Sequence, residues 1–280
     1  MISFFKNTVF LFPTSGLANR MRVIESGYSL AKKTNKRLFI FWVLDETPSC
    51  NFNLLFNSIN NTTVLNFKAY DSFSFNHIIY RILFYLLIKI KNIRPLRQTD
   101  ILYRRENFSK SDNNSYYESE VLKKGFFYKG NADFYFAEKN NYAIFQPVAA
   151  LENKISAIAD TFSENTIGIH IRGTDNMAAK SKSTTALFID KINLELTKNP
   201  KANFFLATDE PATEQLLREK FEGKLITFST HKDRDSTIGI REALIDLFLL
   251  SKTGKIYGSF YSSFSEMASK LNNATMEVVK

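Results

Sequence analysis

The chain reads as an α/β protein built on parallel sheets covered by helices. Three observations predict this. A strand–loop–helix–strand unit occupies residues 8–44. From residue 148 onward, helix-like and strand-like segments alternate repeatedly, the signature of a doubly wound domain. The 280 residues are 44% hydrophobic and include 27 Phe and 12 Tyr, enough to fill one large core or two modest ones with aromatic rings.

Each element follows from local pattern. TVFLFPT (8–14) is a short apolar strand, and SGLANR after it reads as a loop with Gly16 at its turn. Residues 21–34 set Val23, Ile24, Gly27, Leu30 and Ala31 at helical spacing. RLFIFWVL (37–44) is a second, buried strand that closes a βαβ unit. Residues 45–150 are rich in Asn and aromatics and show few boundaries. Within them, residues 77–97 read as an apolar helix on which Arg81, Tyr85, Lys89 and Asn92 form a narrow polar stripe. After Gln146-Pro147 the pattern sharpens. Helices are predicted over 148–162, 185–198, 211–221, 240–253 and 262–271, and strands over 166–171, 202–209, 224–229 and 254–260. Asn199-Pro200 stops one of these helices, and Pro211 sits in the first turn of the next. The expected domains are 1–147 and 148–280.

Composition narrows the partners. Lys and Arg number 37 against 28 Asp and Glu, a formal charge of +9 that favours phosphates, nucleic acid or an anionic membrane surface. A single-strand binder interleaves aromatics with cations on one face. Here much of the surplus falls between His77 and Arg105, on an apolar segment, so no nucleic-acid partner is expected. That segment, with Lys89, Lys91, Arg94 and Arg97 toward its end, suits an anionic membrane surface and suits a core helix equally. The lone Cys50 cannot form an internal disulfide, and one Cys with three scattered His (His77, His170, His231) makes no zinc set. The apolar run Thr8 to Phe12 is too short for a signal peptide, and no stretch approaches the ~18 apolar residues of a membrane span. A cytoplasmic protein is expected, peripheral on the inner face of the membrane if residues 77–105 bind lipid.

In doubly wound sheets, ligands bind where strand ends enter helices. The predicted strand ends carry His170, Arg172, Thr174 and Asp175, then Thr208 and Asp209, then Ser259, Tyr261, Ser262 and Ser263. Strand alternation puts His170 and Arg172 on one side and Ile169 and Ile171 on the other. Arg172 can fork onto a phosphate, or pair with a structural carboxylate. Ser262 and Ser263 open a helix, either as a phosphate site or as an ordinary N-cap. Asp246 lies among Leu244, Ile245, Leu247 and Phe248 on a helix, where an unpaired carboxylate is costly. Arg241 sits five positions earlier, too far around the helix for a strong pair. Asp246 is therefore an acceptor for a nucleoside or one half of a buried salt bridge.

Taken together, HIRGTD, FFLATDEP, IREALIDLFLLSK and IYGSFYSSFSEMA resemble, in order and rough spacing, the α1,6-fucosyltransferases, which include bacterial nodulation fucosyltransferases and the core-fucosylating animal enzymes. SGLANRMR near the N-terminus is similar to the glycine-rich first loop of fucosyltransferases generally. The resemblance covers residues 165–271 well and 8–44 loosely. It implies two facing Rossmann-like domains of the GT-B type, the first on the acceptor side and the second binding the nucleotide sugar. It also implies an inverting, metal-independent transfer with GDP-fucose as donor and no cofactor. The reading adopted is transfer to a glycan or lipid-linked glycan of the cell surface, with another GDP-sugar left open as donor. Carried over by position, His170 and Arg172 would hold the diphosphate, Asp246 the guanine, and Ser262 and Ser263 the phosphates. Gly16, Asn19, Arg20, Thr208, Asp209 and Arg241 complete the expected donor-binding set, and Asp175 joins His170 and Arg172 as a catalytic candidate. Two positions depart from the pattern. The second Arg of the family pair is Gly173, and a downstream family carboxylate falls at Lys180. The candidates left for the base that deprotonates the acceptor are Asp175, Asp45 and Glu46. A non-catalytic sugar-nucleotide-binding relative is the alternative reading.

Overall fold

Runs of β-branched and aromatic residues build two separate parallel sheets of five strands each. The computed structural model describes residues 5–44, 48–68, 93–173, 181–233 and 235–280. The chain divides into two compact units, Met1–Gln146 and Pro147–Lys280.

In the first unit, β1 (Thr8–Pro13) is followed by α1 (Leu17–Lys33), β2 (Arg37–Val43) and β3 (Thr62–Phe67). Then come β4 (Ile93–Leu96), α2 (Gln98–Asn107), α3 (Lys110–Lys123) and β5 (Gly125–Gly130). The sheet order is β3-β2-β1-β5-β4. The chain thus winds outward from the central β1, jumps to the far edge and returns beside it. Phe10, Phe12, Phe41 and Phe127 cluster on one side of this sheet, and Phe39 and Phe41 lie 4.9 Å apart between ring centroids. Gly27 lets α1 approach β1: a Cβ there would stand 2.4 Å from Leu11 Cδ1.

The second unit holds α4 (Ala149–Ala159), β6 (Thr166–Ile171), α5 (Thr185–Lys198), β7 (Asn203–Thr208) and α6 (Pro211–Lys220). It continues with β8 (Leu225–Ile226), α7 (Thr237–Lys252), β9 (Lys255–Ser259), α8 (Ser263–Asn272) and β10 (Thr275–Val279). The order β10-β9-β6-β7-β8 is the Rossmann winding, out from the central strand on one side and then on the other. Its reversal point falls between β6 and β9. The core joins Ile169, Ile171, Phe204 and Leu206 of the sheet to Phe188, Ile192 and Leu217 of the helices. Each such side chain contributes about 1.5–3 kcal/mol on burial.

Several expectations are corrected. The segment read as the loop SGLANR is helical from Leu17, because Gly16 serves as an extended N-cap and the Arg20 amide bonds its carbonyl at 3.1 Å. Its left-handed residue is Ser15 (φ 69°), not Gly16. The helix expected over 77–97 cannot reach its end, since Ile93–Leu96 is strand β4, paired with β5. Residues 77–92, with Arg81, Lys89 and Lys91, lie outside the described set. Arg94 is on that strand, bridged to Glu120 at 2.6 Å, and Arg97 stands at the N-cap position of α2 without a side-chain capping bond. Arg105 pairs with Asp133 at 2.9 Å, so part of the basic surplus is answered internally. No helix among the described residues is long and apolar enough to cross a membrane.

Candidate functional site

The reversal point of the second sheet is built from its sequence upward. β6 carries His170 opposite Ala207 of β7 and Gly258 of β9. Gly258 matters because a Cβ there would meet Ser265 Cβ at 2.6 Å, so only glycine lets α8 start this close to the sheet. That approach stacks Phe264 on the His170 ring, 4.8 Å between centroids, and sets Ser262 Oγ 3.3 Å from His170 Nδ1. His170 is buried, and burial lowers its pKa to about 4 despite the nearby Asp209 carboxylate. The ring is neutral at physiological pH. It therefore adds no cation to the site and is a weak general base there.

Arg172 follows the strand and supplies the charge. Its Nη1 lies 3.0 Å from Asp209 Oδ2, and its side chain keeps 20% exposure. Asp209 also accepts the Gly173 amide at 2.7 Å, and Ser259 Oγ accepts the Arg172 amide at 2.9 Å while donating to the His170 carbonyl at 3.2 Å. The strand end is thus pinned from both neighbours. Thr208 Oγ1 accepts the Glu210 amide at 3.2 Å, a local turn. Gly173 leaves room for the Glu210 side chain, which a Cβ would approach to 2.8 Å.

Ser262 holds the N-cap position of α8, yet its hydroxyl makes no capping bond. By contrast, the cap residues of α5 and α7, Thr184 and Ser236, accept amides of their own helices at 3.4 and 3.0 Å. The first-turn amides of α8, beginning with Ser263, have no side-chain cap, and such amides with the helix dipole suit an anion. Just before them stands Tyr261, 79% exposed, with φ at 56°. A bulky residue held in the left-handed region stores strain, which concentrates at functional turns.

A second polar cluster forms on the same edge of this sheet, around the loop after β8. Asp246 of α7 is 5% exposed, and its Oδ2 accepts a short bond from Ser229. Its Oδ1 has no hydrogen-bond partner among the described residues, and neither has Arg241 Nε. Burial raises the Asp246 carboxyl to about 7, against the Ser229 bond and the Lys232 charge. Lys232 bridges Glu214 at 2.7 Å, and Glu242 accepts the Thr230 and His231 amides at 2.8 and 2.7 Å. Asp246 makes no ion pair among the described residues, so the buried-salt-bridge alternative falls, and it stands as a half-satisfied acceptor on α7 facing that loop.

The expected set thus separates. His170, Arg172, Thr208, Asp209, Ser262 and Ser263 gather at the reversal point. Arg241 and Asp246 belong to the β8–α7 cluster. Gly16, Asn19 and Arg20 lie in the other unit. There Asn19 donates to Ser15 Oγ at 3.0 Å, and Arg20, 2% exposed, donates to the carbonyls of Ser15 and Val43 at 2.9 and 2.7 Å while lying over Trp42. Arg20 is engaged within its own unit. Asp175, Asp45 and Glu46 lie outside the described residues. The sequence reading missed Phe264, Ser229, Lys232 and Glu214. Only the polar run after residue 228 hinted at the loop, since contacts across distant elements leave no local signal.

The chain thus carries two parallel-sheet units, with an arginine and the uncapped start of α8 at the reversal point of the second, and comparison with solved structures gives it a fucosyltransferase-like fold. No protein-family model matches the chain, and no curated protein does. Solved structures do. NodZ alpha-1,6-fucosyltransferase soaked with GDP-fucose superposes with a TM-score of 0.60 at 16% identity, over 94% of this chain and 92% of that one. An Arabidopsis thaliana FUT1 mutant in complex with GDP gives 0.59 at 12%, over 97% and 70%. POFUT1 in complex with GDP-fucose gives 0.53 at 10%, over 98% of each. At such identities the likeness is one of fold.

Proposed function

We propose that the protein is a glycosyltransferase that moves a sugar, fucose from GDP-fucose, to a glycan acceptor, with inversion, without a metal ion and without a cofactor. The observation that carries this reading is the reversal point of the second sheet, where Arg172, oriented by Asp209, stands at the same edge as the uncapped start of α8. Negative charge grows on the leaving diphosphate as the glycosidic bond breaks. A forked cation and a row of amides fixed before the reaction stabilise that charge without reorganisation. Asp246, with one oxygen unpartnered among the described residues, is suited to accept two N–H groups of a guanine edge. The neighbours solved with GDP or GDP-fucose support this choice of donor. The acceptor class proposed is a cell-surface or lipid-linked glycan. A cytoplasmic location is proposed from the short apolar run Thr8 to Phe12 and the lone Cys50, and a membrane-peripheral one from the basic segment 77–105.

A thermal-shift screen tests the donor. GDP at ~100 times its dissociation constant adds about 2.7 kcal/mol of stability, and in EDTA the shift persists. UDP, ADP and CMP give none. A shift that needs Mg²⁺ or Mn²⁺, or one equal for UDP, overturns the reading. A second reading, a non-catalytic nucleotide-sugar binder, draws on one observation. Asp209 is occupied by Arg172 and Gly173, and Glu210 accepts a short bond from Thr213. Binding of GDP-fucose with neither transfer nor donor hydrolysis would favour it.

A further inference from the structure

The first unit contains a cavity of about 1080 Å³ between α1, α3 and the chain from Tyr135 to Gln146. Small-molecule sites run roughly 300–1,000 Å³, so this one has room for more than a single sugar ring. It is not at the strand ends where doubly wound sheets usually bind ligands. Its α1 wall is Tyr28, Ser29, Lys32 and Lys33, near the C-terminus of a 17-residue helix that starts at the β1 exit. At ~1.5 Å per residue, Lys32 is roughly 20 Å along the axis from that exit.

The walls are fixed in place. Glu25, 5% exposed, accepts Ser29 Oγ at 2.7 Å and the Asn141 amide at 3.1 Å, and Asn141 Nδ2 donates to Ser29 at 2.8 Å. Asn114 of α3 exchanges two hydrogen bonds with the Phe136 backbone, at 2.7 and 2.9 Å. Tyr135 donates to Glu118 at 2.7 Å. The loop is therefore tied to two helices, and a ligand would not have to order it.

What lines the opening is exposed and polar. Lys32, Lys33 and Lys139 have no acidic partner among the described residues, and the side-chain amides of Asn60, Asn140 and Gln146 make no hydrogen bond there. Against the three cations stand Glu138 and the Glu118 already held by Tyr135. Amides that both donate and accept match vicinal sugar hydroxyls, which do the same, and Tyr28 offers a ring face to the apolar side of a sugar. Three exposed lysines not paired with a carboxylate can meet an anionic group directly. We infer that this cavity binds a short stretch of an anionic oligosaccharide, one bearing carboxylate or phosphate groups, at a site separate from the donor-binding edge. As a second hold on a growing glycan it would raise the effective concentration of the chain end. That role rests on the glycosyltransferase reading. The binding itself does not.

Calorimetry on the full chain tests it with three probes: a galacturonic-acid tetrasaccharide, neutral maltotetraose and inorganic phosphate. The acidic tetrasaccharide is expected to bind, more weakly as salt rises, and with the same affinity whether or not GDP is present. Replacing Lys32, Lys33 and Lys139 together by Ala should weaken it at least tenfold, and Tyr28→Ala several-fold, with melting temperature held, since the lysines are exposed. Equal binding of maltotetraose, displacement by phosphate at matched concentration, undiminished binding to the triple variant, or no binding of the acidic probe each overturns the inference. A failed GDP shift with intact tetrasaccharide binding removes the donor reading alone.

Discussion

Each unit places an arginine on the chain leaving its central strand, Arg172 directly after β6 and Arg20 near the start of α1, and the two residues do opposite work. Arg20, after β1, is 2% exposed and spends its donors on the carbonyls of Ser15 and Val43. Arg172, after β6, keeps 20% exposure and faces the Asp209 carboxylate. The difference lies in the partners. Backbone carbonyls at fixed positions, with Trp42 beneath, lock a guanidinium into the fold. A side-chain carboxylate orients one that keeps part of its surface toward solvent. Both arginines stand on the chain leaving a central strand, and burial and partner chemistry separate their roles.

The largest expected effects break this comparison directly. Arg172→Ala should lower kcat by about 10²–10³-fold, as removal of a preorganised donor does, while melting stays within a few degrees of the parent. Arg172→Lys should restore little, because a point charge lacks the fork. Arg20→Ala should do the reverse, costing roughly 2–4 kcal/mol by leaving buried carbonyls unpaired, measured by denaturant titration. Were Arg172→Ala the less stable variant and still fully active, the two roles would have to be exchanged.

Asp246 sharpens the contrast through pH. Its carboxyl is raised to about 7 by burial, above the ~3.9 of an unfolded chain. The folded state holds this proton more tightly. Its contribution to stability is therefore greatest below about pH 4, declines as pH rises toward 7, and levels off beyond. Asp246→Asn cannot ionise and should flatten that decline, narrowing the pH 4 to pH 8 difference by roughly 2–4 kcal/mol. It should also weaken GDP, since the amide puts an NH2 donor where a carboxylate oxygen accepts and carries no negative charge. A pH profile identical to the parent's would place the titration elsewhere.

Gly258 tests whether the approach of α8 builds the site. Gly258→Ala forces a Cβ against Ser265, for a loss of about 1–3 kcal/mol, and should separate Phe264 from His170. Nucleotide affinity should fall with it. Full GDP affinity in a destabilised Gly258→Ala protein would mean that α8 does not contact the phosphates.

Much of the second unit was legible in the sequence because its elements announce their ends. Helix α5 (185–198) and strand Thr166–Ile171 were bounded to the residue and Pro211 opens α6, whereas α7 begins at Thr237, three residues before the expected 240, where Ser236 caps it. The first unit was not. α2 buries only Ile101 and α3 only Asn113, Tyr117 and Val121, so neither shows a broad apolar stripe. β5 is buried along nearly its whole length and has no alternation to read. β10, mostly half-exposed at a sheet edge, carries no strong strand signal either. At the site, the strand-end residues could be read, since topology alone brings them to one edge. The partners could not. That Ser262 turns to His170 instead of capping α8, and that Ser229 meets Asp246, depends on packing between distant segments.

The smallest expected effect concerns Gly16, the counterpart of the tight glycines at the second sheet. A Cβ built on Gly16 meets nothing within 4 Å, and its φ of −63° suits any residue. Neither crowding nor backbone strain demands glycine there. Gly16→Ala should leave stability within about 0.5 kcal/mol, the small gain from a stiffer unfolded chain being offset by alanine's poorer N-cap. If the β1–α1 turn serves only the fold, turnover is equally unchanged. If a substrate comes against the Gly16 backbone, the added methyl occupies its place, and KM rises several-fold at constant melting temperature. A variant with unaltered kinetics would confine the chemistry to the unit that holds Arg172, whereas a rise in KM without loss of stability would return the first loop to the site even though Arg20 itself is buried.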